Sequence, residues 1–229
     1  MAPILYVVAI PIGNLGDITL RAIETLRQVD AIICEEIKEA RILMKRLDIR
    51  DKELISLNEH NEIELVPELS MRMVQTNQSF ALISDCGTPV FSDPGSNLIS
   101  QLVEYGVQIK PIPGPSSLMA AFSILDFKLE RFVFAGFLPR DSDERKRELT
   151  RLRGLRMPVI LMDTPYRLDP LLDDVGKTFG KGAAVTLACD LTLPKEAIFR
   201  GPVSEVRQKA NARKAEFILI VHAGNQSNY

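Results

Sequence analysis

The sequence has no tryptophan, only two histidines and only three cysteines among its 229 residues. The cysteines, Cys34, Cys86 and Cys189, lie far apart, and no CxxC or Cys/His spacing is present. Neither a disulfide framework nor a metal site is therefore predicted, and the thiols are expected to be reduced. No apolar run approaches the ~18 residues that a membrane-spanning helix needs, and no charged leader precedes the first apolar run. We therefore expect a cytoplasmic protein with no membrane partner.

The chain also lacks an excess of positive charge. Its 28 Lys and Arg against 30 Asp and Glu give a net charge of −2, which provides no global attraction to nucleic acid. RNA binding would need a local basic face. The densest basic segment is 139–156, with seven basic and four acidic residues, hence net +3. It has two interpretations, a solvated helix face or a phosphate contact. Its basic residues are Arg140, Arg145, Lys146, Arg147, Arg151, Arg153 and Arg156.

Short apolar runs alternate with amphipathic stretches along the whole chain. Runs such as Ile4–Ile10 and Phe80–Ile83 are continuously apolar, as expected for parallel strands that are covered on both faces. The alternation predicts an α/β protein with two sheets and a cleft between them. The pattern pauses near residues 125–130, which places a domain boundary between an N-terminal domain, 1–124, and a C-terminal domain, 125–229.

The prediction of a cleft depends most on the stretch Phe80–Gly95 (FALISDCGTPVFSDPG). A buried strand ends there in a loop of Gly, Pro and small polar residues, as at the edge of a ligand cleft. Two similar loops occur at Ala9–Leu20 (AIPIGNLGDITL) and Pro111–Ser117 (PIPGPSS). The glycine spacing is not GxGxxG, so a Rossmann dinucleotide site is not supported. A further polar cluster, Asn58–Glu62 (NEHNE), follows a predicted strand and is either a site for a general base or a helix cap.

Taken together and in order, these stretches resemble the tetrapyrrole methylase family of S-adenosylmethionine-dependent methyltransferases. Within it they are most similar to the branch that 2′-O-methylates a ribose of small-subunit ribosomal RNA. The matching stretches are PIGNLGDITLRA (11–22), NEHNE (58–62), SDCGTPVFSDPG (84–95), IPGPSS (112–117), GFLPR (136–140) and TPYR (164–167).

The resemblance implies a two-domain α/β fold of the class III methyltransferase type, a homodimer, and S-adenosyl-L-methionine in the interdomain cleft. It implies that Cys86, Gly87, Thr88 and Phe91 line the methionine side of the cofactor, with Ser116 and Ser117 beside it. It also implies that residues of the second domain flank the adenosine, namely Met162, Asp163, Leu191, Ala215 and Glu216.

Methyl transfer to a ribose hydroxyl also benefits from a proton acceptor within hydrogen-bond reach, because the hydroxyl is a poor nucleophile at neutral pH. The candidates are Glu36, Glu59 and His60, and the sequence does not choose among them. Transfer from a sulfonium is an in-line displacement that requires no metal.

The chain departs from the branch at residues 35–38, 163–167 and 189–193, and it does not show the further C-terminal segment that many members carry. The departures lie where the acceptor is expected to bind, so the resemblance is more specific for methyl transfer than for the acceptor. Three functions therefore remain: ribosomal RNA methylation on the small ribosomal subunit, methylation of a tetrapyrrole or another small molecule, and cofactor binding without catalysis.

Overall fold

The structure, a computed structural model, describes residues 2–91 and 93–222. The chain divides into two compact units, Met1–Ser116 and Ser117–Tyr229. Both contain a five-stranded sheet covered by helices, so the α/β class and the two predicted sheets are confirmed. No helix within the described ranges is long and apolar enough to cross a membrane.

The first unit is a parallel sheet with the strand order β3-β2-β4-β1-β5. Each strand is joined to the next in sequence by a helix, as parallel pairing requires. The strands are β1 Ile4–Val8, β2 Ala31–Cys34, β3 Glu53–Ser56, β4 Phe80–Leu82 and β5 Gln108–Ile112. The helices are α1 Leu20–Gln28, α2 Ile37–Arg46, α3 Glu62–Thr76 and α4 Ser96–Glu104.

The helices of the first unit cover opposite faces of its sheet. Ile32 of β2 packs in a cluster with residues of α1 and α2, whereas Ala31 and Ile33 pack with residues of α3 and α4. This alternation is the two-residue period of a strand, and both faces are apolar because both are buried. Thr19 caps α1, because its hydroxyl accepts a hydrogen bond from the N–H of Ala22 at 3.1 Å.

The second unit has the strand order β6-β7-β10-β8-β9. β6 is parallel to β7, and the other neighbouring strands are antiparallel. Its strands are β6 Val133–Phe137, β7 Val159–Asp163, β8 Ala184–Cys189, β9 Ala197–Pro202 and β10 Phe217–Val221. Its helices are α5 Ser117–Ser123, α6 Ser142–Gly154, α7 Leu168–Phe179 and α8 Val203–Ala210.

The division between the units falls after Ser116, whereas the sequence pattern placed the boundary at 124/125. The difference is the helix α5, which belongs to the second unit. Its Ala121 is fully buried against Ile160, Ala188 and Ile218 of the second sheet. A pause in local pattern marks where a helix ends, but not which sheet that helix packs against.

Candidate active site

Three loops rich in glycine, proline and small polar residues leave the first sheet at one edge. We call them the β1 loop (9–19), the β4 loop (83–95) and the β5 loop (113–116), and their strands are neighbours in the sheet. The chain leaves β1 toward α1 on one face and leaves β4 toward α4 on the other. In open parallel sheets, ligands bind at such a switch point, outside the carboxyl ends of the strands. We therefore assign the candidate site of the first unit to these loops.

Backbone hydrogen bonds hold the three loops against one another. The N–H of Ile10 donates to the carbonyl oxygen of Gly87 at 2.9 Å, which forms an isolated antiparallel bridge. The N–H of Ala9 donates to Ile112 at 3.1 Å, and the Thr88 hydroxyl donates to the carbonyl oxygen of Pro115 at 3.2 Å. The edge is therefore a single connected structure and not three independent connections.

Two glycines allow this close approach. Gly87 is buried with φ +72°, and a Cβ there would lie 3.1 Å from Cγ2 of Ile12. A Cβ on Gly114 would lie 3.1 Å from Cβ of Ala9 and 3.2 Å from its carbonyl oxygen. Both distances are shorter than ordinary carbon contacts of about 3.5–4.0 Å. Any side chain at either position would push neighbouring loops apart.

A carboxylate from α3 fixes the far end of the β4 loop. Glu62 Oε1 accepts a hydrogen bond from the N–H of Gly95 at 2.9 Å, and its Oε2 accepts one from Asn97 Nδ2 at 3.1 Å. The N–H of Gly95 and the side chain of Asn97 stand at the start of α4, where backbone donors lack helical partners. The sequence pattern of the cluster 58–62 indicates either a general-base site or a helix cap. Glu62 satisfies a donor at the start of a different helix, which is 33 residues away in sequence.

The structure brings together the first-unit residues that the resemblance assigned to the cofactor. Cys86, Gly87 and Thr88 lie in the β4 loop beside Pro115, and Ser116 ends the β5 loop. Phe91, in the same β4 loop, is 54% exposed. Ser117 begins α5 and belongs to the second unit.

Carboxyl groups crowd the same edge. Burial raises the pKa of Glu35, Asp85 and Asp93, and neighbouring carboxylates raise each of these pKa values further. The N–H of Glu36 donates to Asp85 Oδ1 at 3.1 Å, which partly offsets the rise for Asp85. Burial, with Asp85 and Glu36 nearby, raises the pKa of the Cys34 thiol to about 11. Carboxyl groups with raised pKa values in a cleft are candidates for proton transfer.

Sequence reasoning did not select Asp85 or Asp93 as titratable site residues. In the sequence, Asp85 could have been identified from its position, because it follows the buried run of β4 and precedes Cys86. The selected candidates Glu36, Glu59 and His60 are all exposed, as is Asp85, whereas Asp93 is half-buried. His60 Nε2 lies 3.6 Å from Glu59 Oε1, with side chains 85% and 82% exposed. Their catalytic roles stay predictions.

In the second unit, the residues predicted to flank adenosine meet at one edge of the sheet. Phe217 at the start of β10 pairs with Asp163 at the end of β7 and with Cys189 at the end of β8. The N–H of Asp190 donates to the carbonyl oxygen of Glu216 at 2.8 Å. The five residues concerned are therefore neighbours in this sheet edge, namely Met162, Asp163, Leu191, Ala215 and Glu216.

Asp163 is a buried polar group of this edge. Its Oδ1 accepts a hydrogen bond from the N–H of Thr164 at 2.8 Å and lies 3.2 Å from Arg167 Nη1. Its Oδ2 is buried and has no hydrogen-bond partner among the described residues. A buried carboxylate oxygen without a partner is destabilising, so this atom is a candidate acceptor for a ligand donor. Arg167 also donates to the carbonyl oxygen of Pro139 at 2.9 Å, which ties the loop after β6 to Asp163.

Two further acidic residues, Asp190 and Glu216, lie at the same edge. Asp190 is buried between two cations, with Oδ1 3.3 Å from Lys195 Nζ and Oδ2 3.0 Å from Arg213 Nη2. Burial raises the pKa of Glu216, and the nearby charge of Asp190 raises it further.

The basic segment 139–156 contains α6, and carboxylates pair with four of its seven cations. Arg145 is buried, with Nε 2.7 Å from Asp174 Oδ2 and Nη1 2.9 Å from the carbonyl oxygen of Arg140. The interpretation of Arg145 as a phosphate contact is wrong, because this guanidinium holds the loop after β6 to α7. Three of the six exposed cations pair with carboxylates one turn earlier: Lys146 with Asp143 at 3.4 Å, Arg147 with Glu144 at 4.0 Å and Arg151 with Glu148 at 2.6 Å.

A family model described as Tetrapyrrole (Corrin/Porphyrin) Methylases matches residues 4–207. Among curated proteins, the chain is 37% identical over 224 residues to a "Ribosomal RNA small subunit methyltransferase I" of Mesorhizobium japonicum, covering 96% of this chain and 76% of that protein. A protein of the same name from Escherichia coli O157:H7 is 37% identical, covering 95% and 77%. A third, from Thermotoga maritima, is 37% identical, covering 88% and 89%.

The fold is also similar to solved structures. A diphthine synthase gives a TM-score of 0.73 at 15% identity, covering 97% of this chain and 90% of that one. A cobalt precorrin-4 methyltransferase gives a TM-score of 0.68 at 19% identity, covering 96% and 94%. At these identities the similarity concerns the fold alone.

Proposed function

The chain belongs to the tetrapyrrole methylase family, and from that premise we propose that it is a methyltransferase that uses S-adenosyl-L-methionine to 2′-O-methylate a ribose, that of a cytidine, in small-subunit ribosomal RNA. The observation that carries the choice of acceptor is the 37% identity to the ribosomal RNA enzymes, which extends over 96% of the chain. A shared fold without such identity would support only the class of reaction.

The residues present fit the cofactor. The β1, β4 and β5 loops approach at Gly87 and Gly114, where a Cβ would meet neighbouring loops, so these glycines let the three loops converge at one edge of the sheet. We propose that Cys86, Gly87, Thr88 and Phe91, with Ser116 and Ser117, contact its methionine portion. Asp163 Oδ2, buried and without a partner among the described residues, is the corresponding acceptor in the second unit. The assignment of adenosine to Met162, Asp163, Leu191, Ala215 and Glu216 rests on the family resemblance, and their common sheet edge is consistent with it.

When bound, the cofactor supplies an electrophilic methyl group on a sulfonium. The chain's own residues supply position. The hydrogen bonds from Ile10 to Gly87 and from Thr88 to Pro115 fix the loops before any ligand arrives. Holding reactants in an aligned geometry is worth up to roughly 7–11 kcal/mol of the barrier. This contribution requires rigid loops, and Glu62 fixes the end of the β4 loop through Gly95.

A proton must leave the ribose hydroxyl as the bond to carbon forms. Glu36, Glu59 and His60 remain the candidate acceptors, and the carboxyl groups of Asp85 and Asp93 are added to them because burial raises their pKa values. Replacing each of these residues singly by Asn or Gln would show which of them accepts the proton. Only loss of the true acceptor should remove the rise of the rate from low pH, which reports deprotonation of the base, while cofactor affinity is retained.

Two further properties belong to the proposal. Acting on ribosomal RNA places the protein in the cytoplasm, and family resemblance supports a homodimer. Sedimentation at micromolar concentration tests the dimer, and a monomer there would exclude it.

The decisive experiment is transfer of radiolabelled methyl from the cofactor to small ribosomal subunits assembled from unmodified transcript, followed by nucleoside analysis. We expect label in a 2′-O-methylated cytidine. Unlabelled RNA together with a labelled tetrapyrrole would assign the small-molecule function. Cofactor binding with no transfer to either acceptor would indicate a binding protein.

A further inference from the structure

In the first unit, helix α2 is the helix whose positive charges are least balanced by nearby carboxylates. It presents Lys38, Arg41, Lys45 and Arg46 to solvent, against a single carboxylate, Glu39. Within residues 2–91 and 93–222, none of these four cations forms an ion pair. We call these four residues the α2 basic face. In a chain of net charge −2 this is a local concentration of positive charge that composition conceals.

Part of this arrangement is unfavourable for the helix, although Lys45 and Arg46 lie in its last turn, where the helix dipole favours cations. Lys38 and Arg41 are three residues apart and Arg41 and Lys45 four apart, so like charges face each other on neighbouring turns. Lys38 also lies in the first helical turn, where the helix dipole disfavours a cation. The contrast with α6 is direct, because Lys146, Arg147 and Arg151 each have a carboxylate partner on the preceding turn. A polyanion bound along α2 would relieve the repulsion.

The α2 basic face adjoins the candidate active site. A cavity of about 210 Å³ lies between α2 and the β1 and β4 loops. Arg46, Ile42 and Glu39 line it from the helix, Ile10 and Ile12 from the β1 loop, and Asp85 and Cys86 from the β4 loop. Its volume is below the roughly 300–1,000 Å³ of a typical small-molecule site, so it suits one moiety of a larger ligand.

We propose that the α2 basic face binds the phosphate backbone of the acceptor RNA and directs one nucleotide toward this cavity. The proposal rests on the proposed function and names the surface that function requires. Phosphate contacts are largely independent of sequence and set the position of the nucleic acid, which is the task that an acidic enzyme must perform locally.

The test compares two triple variants with the same change in net charge. One removes three of the four cations of the α2 basic face, Lys38→Gln/Arg41→Gln/Lys45→Gln. The matched control removes paired cations of α6, Lys146→Gln/Arg147→Gln/Arg151→Gln. Transcribed small-subunit ribosomal RNA is titrated into each protein by fluorescence anisotropy between 50 and 300 mM salt, roughly the range over which phosphate contacts weaken.

Each lost phosphate contact should lower the log–log salt slope by about 0.7, so the α2 variant should lose about 2 in slope and about a hundredfold in affinity near 0.1 M salt. The α6 variant should retain the wild-type slope, because its cations are already paired. A charge-preserving exchange on α2, Lys38→Arg/Arg41→Lys/Lys45→Arg, should also retain it. Calorimetry should give the same cofactor affinity for all of these variants, which excludes unfolding as the cause.

An unchanged slope in the α2 variant, or an equal loss in the α6 variant, would overturn the proposal even if wild-type protein methylates ribosomal subunits. Absence of methyl transfer to subunits by the wild type would instead contradict the proposed function. The two failures are therefore distinguishable in one set of measurements.

Discussion

Replacing Gly87 by alanine tests whether the contact among the three loops forms the cofactor site. Gly87 has φ +72°, and the new Cβ would lie 3.1 Å from Cγ2 of Ile12. The left-handed backbone conformation costs an L-residue about 1–2 kcal/mol. The short contact adds a displacement of the β1 loop by a few tenths of an ångström, because carbon atoms prefer about 3.5–4.0 Å.

Gly106 supplies the matched control. It has the same φ of +72°, and a Cβ there would meet nothing within 4 Å. It precedes β5 and therefore lies at the edge of the sheet opposite the loops. Gly106→Ala should lose about 1–2 kcal/mol of unfolding free energy through the backbone alone.

Urea unfolding, calorimetry with the cofactor and single-turnover methyl transfer would be measured for both variants. Gly87→Ala should be less stable than Gly106→Ala, bind the cofactor more weakly and transfer methyl about tenfold more slowly, since a misplacement of 1 Å can cost about 10²-fold. Gly106→Ala should bind and transfer as the wild type does. If the two variants lose equal stability and keep equal cofactor affinity, the assignment of the β4 loop to the cofactor is refuted.

Three further outcomes are expected. Arg145→Met should lower the unfolding free energy by about 3–5 kcal/mol, because it leaves Asp174 as an unpaired buried charge, and Arg145→Met/Asp174→Leu should recover most of the loss in urea titrations. Glu62→Ala should raise the dissociation constant of the cofactor in calorimetry, because Gly95 at the end of the β4 loop loses its acceptor; unchanged affinity would contradict a positioning role. Burial and Asp85 raise the pKa of Asp93, so the folded protein favours its protonated form. In urea titrations, the wild type and Asp93→Asn should have similar stability below the ordinary carboxyl pKa, and the wild type should become the less stable of the two as pH rises to 7. A difference in urea midpoint that does not change with pH would show that Asp93 is not desolvated.

The sequence alone was sufficient for the strands. Continuous apolar runs such as those of β1 and β10 identify strands buried on both faces, and the pairing found for them is consistent with that burial. The loops at the carboxyl edge were also readable, because Gly87 and its neighbours stand immediately after the buried run of β4. Local pattern fixes what is local: which residues are apolar, where a strand ends and where glycine permits unusual backbone.

The sequence did not show which charged side chains are paired and which are available to a ligand. The basic segment 139–156 was the densest, and its net charge favoured a phosphate contact as one interpretation. In the structure, Arg145 is buried against Asp174, a residue of the next helix, 29 positions away. Four exposed cations that form no ion pair among the described residues lie on α2, which is a shorter segment. Whether a charge is neutralised depends on which carboxylate the fold places beside it.

The same reason accounts for the site residues that were missed. Sequence reasoning placed Glu62 in a cap or a base cluster, but its partners Gly95 and Asn97 come from another helix. The raised pKa of Asp93 depends on burial and on Asp85, which no spacing reveals. Composition and periodicity therefore determined the α/β class, the strands and the glycine-rich loops that follow the strands of the first sheet. Only the tertiary structure decided which charges are paired, which carboxyl groups are desolvated and to which unit α5 belongs, because each depends on contacts between residues distant in the chain.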